Sequence, residues 1–222
     1  MADTLRNTLR IWGRRNSVNV QKVLWGAGEL GLPFERREAG MEHGVVDTPA
    51  YRAMNPNGRV PTLEDGEVVL WESNSILRYL ALKSLEAAPD GPAARLYPAG
   101  AAPRARVERW LDWTLSTLQP AERNLFWGMV RTPVERRDHK AIIASFEATA
   151  ALWAIVEAQL GHGMPYVEGP DLTLADIVLG AYARRWFGID MPGGPAIPRV
   201  EAWYARLEER PAFQEHIAPP MS

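Results

Sequence analysis

The stretch Asn55-Pro56-Asn57-Gly58-Arg59-Val60-Pro61-Thr62-Leu63, followed by Trp71-Glu72-Ser73-Asn74, joins turn residues, a Val-Pro step and an acid-hydroxyl pair around a short hairpin. A buried core needs few of these choices, whereas holding a small charged peptide could use nearly all of them. Val60-Pro61 stands where a strand should begin, and proline there removes a backbone donor. A cis bond at that step would turn the Val60 main chain outward, where an extended ligand can pair with it as another strand would. The hairpin is expected over 62–70, turning at Asp65-Gly66. Glu72 and Ser73 then open an amphipathic run in which Ser73, Ile76, Leu77 and Leu80 share one face. A hydroxyl beside free N–H groups at a helix start suits a carboxylate.

Upstream, 8–12 reads as a strand, and Val20, Val23, Leu24 and Ala27 recur at helical spacing after it. Gly31-Leu32-Pro33 ends that helix, and 34–38 reads as a second strand. A helical turn near 48–54, the hairpin and a helix over 73–83 complete a β-α-β-α-β-β-α order. The first β-α-β unit implies a parallel pair and the Asp-Gly turn an antiparallel one, so the sheet is expected to be mixed and four-stranded. Between 87 and 103, Pro89, Gly91, Pro92, Pro98, Gly100 and Pro103 interrupt any pattern and mark a linker. Every long segment beyond it has helical period: Val107, Trp110, Leu111 and Thr114; Ile142, Ile143, Phe146, Ala150 and Trp153; Ile177, Val178 and Ala181; Val200, Trp203, Tyr204 and Leu207. A small α/β domain feeding an all-helical one is the expected organisation.

Composition narrows the function. Of 222 residues, 46% are hydrophobic and 23% charged, ordinary values for a soluble globular chain. A net charge of −2 gives no case for nucleic acid or an anionic membrane. Residues 1–10 are polar with no apolar run after them, and 141–160 carries Glu147 and Glu157, so neither a signal peptide nor a membrane span is expected. The cytoplasm is the expected compartment. With no cysteine, the chain has no disulfide, thiolate metal site or redox pair, and thiol chemistry must use a thiol carried by the ligand. His43, His139, His162 and His216 show no ligand spacing, so no metal is expected.

The motifs Ser-Val-Asn-Val-Gln-Lys-Val-Leu-Trp at 17–25, the 55–63 stretch, Trp-Glu-Ser at 71–73, Leu-Tyr-Pro at 96–98, Ala-Arg-Val-Glu at 105–108 and Thr-Leu-Ala-Asp at 173–176, in this order, resemble the cytosolic glutathione transferases over nearly the whole chain. The resemblance is to theta-like and related bacterial classes, in which the catalytic hydroxyl follows the first strand. It implies a thioredoxin-like glutathione-binding domain over 1–86, a linker over 87–103, and a helical-bundle domain over 104–222 that forms a second-substrate pocket. It implies a detoxifying enzyme with glutathione as co-substrate and a small apolar electrophile as second substrate, working as a homodimer without a metal. Glutathione-dependent disulfide reduction and non-catalytic glutathione binding or scaffolding are alternatives on the same fold.

Site residues follow from the same resemblance. Ser17 would donate its hydroxyl to the glutathione thiolate, although as a residue before a helix it also reads as an N-cap. Asn19 is the second catalytic candidate and Asn16 a third. Ser73 would hold the γ-glutamyl carboxylate and Glu72 the ligand's ammonium, or Glu72 is simply a favourable charge at a helix start. Val60, with Pro61, would bind the cysteinyl backbone, and Arg59 and His43 would meet the glycyl carboxylate. Glu108 matches an acidic position that reaches a partner subunit's ligand, but it also reads as a charge on a helix face beside Arg104, Arg106 and Arg109. Thr173 and Asp176 read as a folding element, a capping box. Arg15, Trp113, Thr117 and Phe126 are candidates for the electrophile pocket, with Trp127, Met129 and Trp186 as substitutes.

Overall fold

The structure is a computed structural model that describes residues 8–221. The chain forms two compact units, Met1–Ala93 and Ala94–Ser222. The first contains β1 (Leu9–Trp12), α1 (Val18–Glu29), β2 (Phe34–Arg37), α2 (Pro49–Met54), β3 (Thr62–Asp65), β4 (Val68–Trp71) and α3 (Ser73–Ala87), with a 3₁₀ turn at Met41–His43. The sheet order is β2-β1-β3-β4. β1 is parallel to β2 and antiparallel to β3, and β3 is antiparallel to β4. This is the mixed four-stranded, thioredoxin-like arrangement that the element order implies.

Local chemistry explains these elements. In β1, Leu9 and Ile11 point into the core while Arg10 faces out, opposite Glu35, with 3.6 Å between the charges. In α1, Val20, Val23, Leu24 and Ala27 are all buried, and α1 packs on α3. Gly13, with φ +154°, links β1 to the α1 turn; a Cβ there would lie 2.3 Å from Val20 Cγ2, so only glycine allows this approach. The Val60–Pro61 bond is cis. The hairpin turn lies one step later than expected. Asp65 pairs with Val68, leaving Gly66 and Glu67 as the loop, and Gly66 has φ +65°. Glycine at the first loop position is the two-residue solution that matches strand twist. Asp65 stays in the ladder because its buried carboxylate accepts from Tyr79 Oη at 2.7 Å and from Lys83.

The second unit holds α4 (Pro92–Leu96), whose first two residues belong to the end of the first unit, then α5 (Ala101–Trp113), α6 (Gln119–Phe126), α7 (His139–Leu160), α8 (Leu174–Gly188), α9 (Pro198–Glu208) and α10 (Pro211–His216). The 87–103 stretch is therefore not all linker: α4 lies in it and α5 begins at Ala101. Proline is tolerated in a first helical turn, where its missing N–H has no partner to lose. α5 and α6 run on as one helical rod from 101 to 131, with π-helical segments at Thr114–Leu118 and Trp127–Arg131. Pro120 explains the first: it leaves the carbonyl of Ser116 without an i→i−4 donor. Pro133 ends the rod by holding Thr132 extended, at φ −104° and ψ 126°.

The stripes on α5, α8 and α9 are buried as predicted. On α7 the buried stripe is Ile142, Ser145, Phe146, Thr149, Trp153, Val156 and Leu160, whereas Ile143 is 50% exposed and Ala150 only half-buried. Adjacent helical residues lie about 100° apart, and Ile143 falls just outside the stripe that Ile142 shares with Ser145, Phe146 and Thr149. By length and composition α7 could cross a membrane, yet its apolar stripe packs against α6 and α9. Thr173 and Asp176 form the expected capping box at the start of α8, every residue of which is buried from Leu174 to Ala183.

Candidate active site

Two helix starts build the first unit's site. Ser17 is the N-cap residue of α1, with extended backbone (φ −87°, ψ 121°), and its side chain makes no capping hydrogen bond. The residue is only 7% exposed, and its hydroxyl stands at a helix N-terminus without being spent on that helix. Asn19 lies two residues on, in the first turn of α1, and its Oδ1 accepts from Ser73 Oγ at 3.3 Å. Ser73 is buried as the first residue of α3. The chain thus brings Ser17, Asn19 and Ser73 to the paired N-termini of α1 and α3, where unsatisfied N–H groups favour negative charge. Glu72 precedes them with φ +71° and an exposed side chain, a conformation that L residues rarely adopt. Its carbonyl accepts from Ile76 N at 2.9 Å, while its side chain makes no capping bond.

The segment entering β3 is held from behind. Tyr51 Oη donates to Arg59 O at 2.7 Å, and Asn55 Nδ2 donates to the same oxygen at 2.8 Å. Both also reach Thr62 Oγ1, at 2.8 and 3.1 Å. Arg59 is exposed, Val60 half-buried and Pro61 buried. His43 is differently placed: its Nε2 lies 3.3 Å from Glu38 and 3.4 Å from Glu42, so two carboxylates compete with any anionic ligand. The Arg36 hydrogen bond holds the Glu38 carboxyl below its usual range, against the effect of burial and with Arg36 and His43 charges helping. Arg15 is exposed and Asn16 half-buried, both near the start of α1.

In the helical unit the candidates fall in different surroundings. Trp113 packs edge-on against Trp110 at 5.3 Å and lines a cavity of about 270 Å³ with Arg109, Ile155 and Gln159. Thr117, half-buried, sits in the first π-helical segment. Phe126 belongs to a buried cluster with Leu125, Ile142, Phe146 and Ile189, against which Met129 and Trp186 pack. Trp127 is exposed. Glu108 accepts from the buried Tyr97 hydroxyl, which gives it a structural partner within its own unit. Beside Phe126, the Arg185 guanidinium stacks 3.6 Å from the ring centroid and pairs with the buried Glu122 at 3.0 Å. Burial pushes the Glu122 carboxyl up to about 7, with Arg185 pulling the other way. A carboxyl raised from its usual 4.5 binds its proton more tightly in the folded chain, so the Glu122 contribution to stability should fall as pH rises from about 4.5 to about 7. Chemical unfolding across that range should show the decline, and Glu122→Gln should flatten it.

Among the described residues, no group of three or more His, Asp or Glu side chains could hold a metal ion. The sequence pattern of the family described as "Glutathione S-transferase, N-terminal domain" matches residues 16–83. Glutathione S-transferase GstB of Escherichia coli (strain K12) is 39% identical over 216 residues, 96% of this chain and all of that protein. The chain belongs to the glutathione S-transferase family. It is also 30% identical to glutathione S-transferase theta-1 of Rattus norvegicus, over 82% of this chain and 75% of that one. A theta-class glutathione S-transferase from Xanthomonas axonopodis pv. citri, solved with glutathione bound, superposes with a TM-score of 0.89 at 46% identity, covering 97% of this chain and 100% of that one. This chain is accordingly a theta-like glutathione S-transferase.

Sequence reasoning about this glutathione S-transferase overlooks three supports. Tyr51 gave no signal beyond an ordinary helical position, and Asn55 was legible only as a turn residue. Lys22, fully buried on α1, donates to Asn74 Oδ1 at 3.1 Å. A lysine at a helical position normally predicts a solvated face, so no pattern along the chain marks it.

Proposed function

We propose that the protein binds glutathione at the paired starts of α1 and α3 and activates its thiol for attack on a small apolar electrophile. The observation that carries this reading is the Ser17 side chain, which stands at the α1 N-cap without capping it, two residues before Asn19, whose Oδ1 accepts from Ser73 Oγ at the start of α3. Ser17 donates to the thiolate, with Asn19 supporting it or taking its place. Ser73 holds the γ-glutamyl carboxylate at the α3 start and Glu72 meets the ammonium; the positive φ at Glu72 is the kind of backbone outlier that gathers at ligand sites. Val60 offers main-chain groups to the cysteinyl part, beside Pro61, and Arg59 reaches the glycyl carboxylate. The two carboxylates around His43 weaken its case as a second contact there.

In this reading the first domain binds glutathione and the helical domain binds the electrophile. Trp113 and Thr117 serve that second pocket beside the π-helical segment, a geometry often found at functional sites. Phe126 acts from within the core cluster of that unit. The protein works in the cytoplasm in detoxification, as a homodimer that sedimentation at micromolar protein would detect. The deciding experiment compares glutathione with a model aromatic chloride against glutathione with hydroxyethyl disulfide, after calorimetry with glutathione alone. Conjugation of the chloride supports the reading. Activity confined to the disulfide replaces it with a reductase using two glutathiones, and no glutathione binding at millimolar ligand leaves a scaffold.

A further inference from the structure

Lys22 lies on α1 with 0% exposure, and its ammonium donates to the Oδ1 of Asn74, itself 1% exposed. A fully buried ammonium carries a large desolvation cost, and a hydrophobic side chain would fill the α1–α3 contact more cheaply. What such a replacement cannot supply is a directed donor to the Asn74 side chain. Asn74 is the second residue of α3 and follows Ser73 directly. Lys22 follows Asn19 by three residues, so both stand on one side of α1. α1 therefore reaches the start of α3 twice, through Asn19–Ser73 at 3.3 Å and Lys22–Asn74 at 3.1 Å. The start of α3 needs such ties, because its N-cap residue, Glu72, makes no side-chain cap and has positive φ.

We propose that Lys22 is a positioning residue for the glutathione site. Through Asn74 it fixes the first turn of α3, and with it the N–H and hydroxyl of Ser73, at the separation from the α1 N-terminus that one ligand's carboxylate and thiolate require. Lys22 touches no ligand atom, and the role rests on the glutathione reading above. Its effect falls on ligand binding more than on the chemical step, because it sets the carboxylate pocket and not the hydroxyl that meets sulfur.

The test uses the full chain, glutathione as ligand and an aromatic chloride as second substrate. Lys22→Met keeps the length of the side chain and removes the donor; Asn74→Leu removes the acceptor. Each is expected to raise the KM and Kd for glutathione about tenfold, with kcat within about twofold, the size expected for one hydrogen bond to a charged group. Lys22→Arg, which keeps a charged donor, should stay within about threefold of the parent. The double variant should be no worse than either single one, since both break the same bond. A merely structural role would lower the folded fraction and leave the glutathione KM of the folded enzyme unchanged. An unchanged KM in both folded variants overturns the proposal; if Lys22→Met does not fold, Asn74→Leu decides it. A parent protein that binds no glutathione overturns the glutathione reading and the role of Lys22 with it, whereas a parent that binds, with variants that bind as tightly, overturns the role of Lys22 alone.

Discussion

Ser17→Ala is expected to lower kcat for conjugation about 10²-fold while the glutathione KM changes little. A free cysteine-type thiol has a pKa of about 8.5 and is mostly protonated at neutral pH. Lowering it by about two units requires roughly 2.7 kcal/mol of preference for the thiolate. One hydrogen bond to a charged acceptor supplies roughly 1.5–3 kcal/mol, and a helix N-terminus adds up to about 1. In the proposed reading the Ser17 hydroxyl, which makes no cap at the α1 start, supplies that bond. Its removal should also move the apparent acid limb of the kcat profile at saturating glutathione upward, as the bound thiol becomes harder to ionise. Because the side chain does not cap α1, stability should change little, which separates this loss from unfolding. Full turnover in Ser17→Ala would move thiol activation to Asn19 or to the helix N-terminus.

Asp176→Ala should remove a large part of the stability of the helical unit. Asp176 is 0% exposed and accepts four hydrogen bonds: from Val167 N at 2.9 Å, Thr173 N at 2.8 Å, Thr173 Oγ1 at 2.9 Å and Trp203 Nε1 at 2.9 Å. It joins the loop before α8, the α8 cap and the buried indole of α9. Alanine leaves four buried donors without an acceptor, and each such group costs about 1–3 kcal/mol. Allowing for relaxation and non-additivity, the loss should be on the order of 3–5 kcal/mol, a large part of the roughly 5–15 kcal/mol that holds a domain together. Denaturant unfolding, or soluble yield if the variant does not fold, measures it. A variant within about 1 kcal/mol of the parent would mean that water replaces the carboxylate, and that the box is not a folding element.

Much of the first domain was legible because its signals are local. The Asp-Gly step, the Val-Pro step and the Glu-Ser pair each act within a few residues, through φ, a missing N–H or a helix start. The period of Val20, Val23, Leu24 and Ala27 was equally plain, since one buried face of a helix repeats along the chain. Errors arose where a local rule had two solutions. Asp65 could sit in the turn or in the ladder, and the pull of Tyr79 and Lys83, 14 and 18 residues away, decided it. Ile143 looked as apolar as Ile142, and only the neighbouring helices select which of the two is buried. The prolines of 87–103 mark breaks, but proline at a first helical turn also starts a helix, as at Pro92.

The candidate site divides in the same way. Which residues could meet a thiolate and a carboxylate was written in the order of the chain, in Ser17 before a helix and Glu72-Ser73 before another. The length, the absence of cysteine and the two-part organisation were equally there, since composition and period do not depend on packing. Tertiary structure decided what each polar group is used for. It left the Ser17 hydroxyl out of its own helix cap, joined Asn19 to Ser73 across 54 positions, tied Glu108 to Tyr97, and buried Lys22 against Asn74. Hydrogen-bond partners far apart in sequence obey no period, because they are selected by the approach of two packed helices, and that approach exists only once the core has formed.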